Sequence, residues 1–156
     1  MTAGVLVAFA LFAVLSVFLV VVDVRCLRLP DVLVLPAYAL VGMLVVTDVA
    51  LGDGDRAARV VGGAVLFFTC GLTLHRARPA GLGGGDVKAL GAIGAFVAWC
   101  GTDAVVLSAA ATALLAAVSA ASVALAVRGT GRDSVPFPFG PVLFAGGWWG
   151  IVVSTG

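Results

Sequence analysis

Charged residues cut this chain into six uncharged, strongly apolar stretches, at residues 1–22, 32–47, 60–74, 89–102, 104–127 and 134–156. Water cannot solvate that much hydrocarbon around one soluble core, whereas a bilayer accepts it as helices whose backbone groups bond internally. A spanning helix needs about 20 apolar residues, within a range of roughly 17 to 25. The first, fifth and sixth stretches meet this directly. The second can extend toward Gly52, Arg59 and His75 can snorkel from the ends of the third, and the fourth is the shortest fit. With 62% hydrophobic and 11% charged residues, the expected fold is all-α: a polytopic integral membrane protein of about six transmembrane helices, one domain over residues 1–156, in contact with membrane lipid. A net charge of +1 gives no reason to expect a nucleic-acid partner.

The connecting segments predict an orientation. Arg25 and Arg28 follow the first stretch, Arg76, Arg78 and Lys88 the third, and Arg128 and Arg132 the fifth, which puts seven of the nine basic residues on one side. The other side carries Asp48, Asp53, Asp55 and Asp103 with Arg56 and Arg59. Positive loops stay in the cytoplasm, so both termini are expected outside, in the inner (plasma) membrane. The first stretch lacks a basic n-region and an A-x-A site and reads as a retained helix rather than a signal peptide.

Two acids stand apart. Asp23 closes the first apolar stretch, and Asp86 follows Gly83-Gly84-Gly85 and leads into Val87 and Lys88. A carboxylate at the edge of a membrane segment is expensive and marks a functional site by default. Both lie on the predicted cytoplasmic face. Two carboxyl groups brought within a few ångströms do not both ionise easily, so they share a proton. The ionised partner can then take a proton from water while the protonated one polarises a carbonyl, with no metal or organic cofactor needed. Residue chemistry alone leaves open a small transporter using the acids as a proton or cation site, and a noncatalytic assembly factor. Gly81, Gly83, Gly84 and Gly85 permit positive φ, close backbone approach and movement of Asp86.

The other polar residues carry blander expectations. Asp31, after Pro30, is placed to cap the second helix. Lys88 can pair with a carboxylate or lipid phosphate, or simply add to the positive loops. Arg25, Arg28, Arg76, Arg78 and His75 read as topology and lipid anchors. Asp48, Asp53, Asp55 and Asp103 read as solvated loop residues. Cys26, Cys70 and Cys100 have no metal-ligand spacing and read as packing thiols. Trp148 and Trp149 read as packing or interface anchors, and Gly91, Gly94, Ala95 and Ala98 give the fourth helix small-residue spacing for close packing.

Three elements together resemble the type IV prepilin (leader) peptidases, with the archaeal preflagellin peptidases as relatives. Gly83-Gly84-Gly85-Asp86-Val87-Lys88 is similar to their G-x-G-D-x-K signature. Asp23 with the downstream Leu29-Pro30-Asp31 is similar to their first-aspartate element, and Pro136-Phe137-Pro138-Phe139-Gly140-Pro141 to the P-F-G-P stretch opening the last helix. The resemblance implies a membrane aspartic endopeptidase that cuts the short basic leader from prepilins or pseudopilins at the cytoplasmic face. It also implies that Asp23 and Asp86 are the catalytic pair, with Gly83, Gly85, Lys88, Pro30 and Asp31 supporting them. The chain departs from longer bacterial members in showing no large cysteine-paired loop near its start, so N-methyltransferase activity is expected to be absent. It looks most like the compact peptidases serving tight-adherence (Flp-type) pili.

Overall fold

The computed structural model describes residues 2–26, 31–77, 82–130 and 138–155, with the side chains of residues 31 and 125–130 outside that description. The described chain forms α1 (Ala3–Cys26), α2 (Asp31–Ala50), α3 (Gly54–Ala77), α4 (Gly84–Cys100), α5 (Thr102–Thr130) and α6 (Gly140–Thr155), and no strand occurs among the described residues. Every apolar stretch has become a helix. Four of them, α1, α2 from Val32, α3 and α5, are long and apolar enough to cross a bilayer.

Expectation and helix differ at the ends. The third stretch belongs to a 24-residue helix that begins before Asp55 and runs through His75 and Arg76. Charged side chains near a helix end leave the backbone ladder intact and can reach the interface. The sixth helix is shorter than its uncharged stretch, with 16 residues starting at Gly140. Pro141 sits in its first turn, where the missing N–H has no intrahelical acceptor to lose. Pro136 and Phe137 lie outside the described residues, as do Arg28, Pro30, Arg78, Gly81 and Arg132.

The bundle is built around α4. Thirteen of its 17 residues are buried, and it packs against α2, α3, α5 and α6. Small residues make this possible. A methyl group on Gly94 would come within 2.6 Å of Phe67 Cβ, and one on Gly91 within 3.3 Å of Phe68 Cβ. Helices that gain nothing from leaving lipid associate by such close packing. From α1, Phe12 stacks on Phe96 with ring centroids 3.9 Å apart, and Phe9 meets the same ring edge-on.

The outer helices each bury one stripe. On α1 it runs Val5, Ala8, Phe12, Ser16, Leu19, Asp23, at the three-to-four spacing of one helix face. On α2 it runs Val34, Ala37, Val41, Leu44 and then Asp48, which is wholly buried. This corrects the reading of Asp48 as a solvated loop acid. Trp99 Nε1, from the far end of α4, donates to Asp48 Oδ1 at 3.3 Å. Arg56 lies 3.7 Å from the same oxygen and 2.8 Å from Asp53, with its guanidinium over the Trp99 ring. Asp55 and Asp103 are exposed, as expected.

Candidate active site

The stripe that buries α1 carries Asp23 inward in the last turn of that helix, and it is 3% exposed. Its Oδ2 accepts the backbone N–H of Gly140 at 2.7 Å. Gly140 is the first residue of α6, so this N–H is one of the donors that an α-helix cannot satisfy internally. A carboxylate at the positive end of the helix is favoured there as well. The contact leaves no room for a side chain: a methyl group on Gly140 would lie 2.7 Å from Asp23 Oδ2 and 3.0 Å from its Cβ. This gives the glycine of the proline-rich stretch a steric and electrostatic reason.

Asp86 is brought in by α4. It is the third residue of the helix, 7% exposed, and its Oδ2 reaches back to accept the Gly83 N–H at 2.9 Å. That is the reach-back half of a capping box. Asp86 Oδ1 is buried and has no hydrogen-bond partner among the described residues. Each acid thus places one oxygen on a glycine N–H beside a helix start. The helix that donates to Asp23, α6, packs against both α1 and α4, the helices that carry the two acids.

The supporting residues divide. Gly83 is the N-cap of α4 with φ −72° and ψ 156°, an extended conformation open to any residue. Positive φ therefore does not explain the glycines at 83 to 85; among the described residues only Gly52 and Gly101 adopt it. Close approach does bear on Gly83, where a methyl group would sit 3.2 Å from Asp86 Oδ2. Gly85 is buried in the first turn of α4. Lys88 is half-buried, and its backbone carbonyl accepts the Tyr38 hydroxyl at 2.9 Å, tying α2 to the start of α4. Asp31 begins α2, but its side chain and Pro30 lie outside the described residues.

Two neighbours were not singled out for the site from sequence. Tyr38 is one. The other is His75, read as a lipid anchor, whose Nδ1 lies 2.6 Å from the Leu82 carbonyl oxygen. Their only sequence signal is type: they are the sole tyrosine and the sole histidine in the chain. Among the described residues no three His, Cys, Asp or Glu side chains converge as metal ligands would. The cysteines are free thiols, with Cys26 and Cys70 exposed.

Two curated relatives, the proteins described as prepilin leader peptidase/N-methyltransferase in Burkholderia pseudomallei strains 1026b and K96243, are 42% identical to the chain over 86 residues. That alignment takes in 53% of this chain but 26% of each relative, so the chain matches only about a quarter of their length. No solved structure matches. The sequence pattern of the type IV leader peptidases matches residues 9–125, from α1 into α5. The chain is a multi-pass membrane protein that belongs to the type IV leader peptidase family.

Proposed function

We propose that this protein is an intramembrane aspartic endopeptidase that removes the short basic leader of a type IV prepilin or pseudopilin, with Asp23 and Asp86 as its catalytic pair. The observation that carries the reading is the burial of these two acids at one end of the bundle, delivered by different helices and each held by a backbone N–H. The names of the two relatives support the substrate class.

Holding one oxygen of each acid on a backbone N–H orients the carboxyl group for chemistry. With one proton shared between the pair, the ionised member takes a proton from water as the water oxygen adds to the scissile carbonyl carbon. The protonated member hydrogen-bonds the carbonyl oxygen. The C–N bond then breaks as the departing amine takes up a proton, and the pair returns to its starting state. Because Asp86 gives Oδ2 to Gly83, its Oδ1 is the oxygen assigned to water or substrate.

The orientation follows from the basic loops, with the two acids at the cytoplasmic face and the termini outside. A prepilin is then a hydrophobic helix lying beside the bundle, its basic leader in the cytoplasm and its cleavage site at the level of the acids. Co-expression with a prepilin tests this. The wild type releases the leader, and Asp23→Asn or Asp86→Asn each reduces cleavage by at least about a thousandfold, or roughly 4 kcal/mol of transition-state stabilisation. Undiminished processing by either variant would remove the pair from the mechanism.

A further inference from the structure

The Leu82–Gly83 peptide group is held from both sides. Its carbonyl oxygen receives His75 Nδ1 at 2.6 Å, and its N–H donates to Asp86 Oδ2 at 2.9 Å. In a planar trans peptide these two groups point in opposite directions. His75, in the last turn of α3, therefore sits behind the peptide whose front faces the acid. A carbonyl oxygen can only accept, so His75 must carry its proton on Nδ1. That condition is met by the Nδ1–H neutral tautomer and by the imidazolium alike.

This bond has something to do. Gly83, Gly84 and Gly85 have no side chains to bias the plane of the preceding peptide, so local sequence does not orient the Gly83 N–H. Buried Leu82 fixes the position of the segment, but a position is not an orientation. A donor on the carbonyl supplies it, because rotating the peptide away from Asp86 would break both bonds at once. It also polarises the peptide and strengthens donation from the N–H.

We propose that His75 is a positioning residue for Asp86, acting through the Leu82–Gly83 peptide to fix which carboxylate oxygen is tied up and which stays available. The proposal rests on the reading of Asp86 as a reacting acid. It assigns a role to the far end of α3 that lipid anchoring does not supply.

The test compares His75→Ala, His75→Asn and Arg76→Ala, each in lipid nanodiscs with a prepilin substrate. Asn can place a donor N–H near the Nδ1 position, and Arg76 shares the predicted topology role of its neighbour. The expected result is a fall in kcat of about tenfold or more for His75→Ala with KM within about twofold, substantial recovery in His75→Asn, and near-normal kcat in Arg76→Ala. A second readout is independent of cleavage. Labelling leucine carbonyls with 13C and glycine amides with 15N selects three peptide groups, Leu51–Gly52, Leu82–Gly83 and Leu90–Gly91. The Gly83 amide proton should move upfield in His75→Ala and return in His75→Asn. An unmoved Gly83 resonance, an Asn variant no better than Ala, or an equal kcat loss in Arg76→Ala would each overturn the proposal. A Gly83 resonance that responds as expected in a protein that cleaves no prepilin would instead overturn the peptidase reading and leave the hydrogen-bonded relay standing.

Discussion

At the scale of single residues, the site depends on atoms that are missing. Gly140 lets the start of α6 press against Asp23, and adding one methyl group there would collide with both the carboxyl oxygen and the Cβ of the acid. The carboxyl oxygen can rotate away, whereas Cβ, 3.0 Å off, can give only by a shift of a few tenths of an ångström in α1. The damage should therefore appear in chemistry before stability. Gly140→Ala is expected to lower leader cleavage by about tenfold or more while shifting unfolding by no more than about 1–3 kcal/mol, the usual range for overpacking. Parallel measurement of cleavage and of denaturation in mixed micelles checks this, and a loss of stability without a loss of activity would contradict it.

At the scale of helices, α4 decides the architecture, and it was the element least legible in the sequence. A helix that is apolar all round carries no directional signal, so composition could show that it is buried but not which neighbours it meets. Its small residues were the readable part, and the structure sets Gly94 against α3 and Gly91 against α2 and α3. Gly94→Val should push α3 and α4 apart, costing about 1–3 kcal/mol by overpacking and reducing cleavage, because α4 carries Asp86. A steric trap or SDS titration reads the first effect. Asp23 and Asp86 were legible because charge in an apolar chain is conspicuous. Asp48 was equally conspicuous and was misread, because its burial depends on Trp99, fifty-one positions later, and on Arg56 across a turn. The clue was present in the spacing of Val34, Ala37, Val41 and Leu44, which continues onto Asp48.

At the scale of the whole molecule, the bundle has a polar knot at each end and hydrocarbon between them. One end gathers Asp23, Asp86 and the starts of α4 and α6. The other gathers Asp48, Arg56 and Trp99, tying α2, α3 and α4 together. Asp86 and Trp99 belong to the same helix, about 20 Å apart at roughly 1.5 Å per residue. The distant knot has no contact with the proposed chemistry, so its expected contribution is to stability. Trp99→Phe should cost about 1–3 kcal/mol by depriving a buried carboxylate of a donor, and should leave kcat per folded molecule unchanged. A kcat loss matching that of Gly140→Ala would show instead that the ends communicate. The paired glycine N–H anchors also bear on how the proposed activity can be mapped. Alanine scanning finds contributions by deletion, and here it would enlarge the anchors rather than remove them. Replacing the Gly83 or Gly140 amide with an ester linkage, which swaps N–H for O at nearly constant shape, is the change that would isolate what the main chain itself contributes to catalysis.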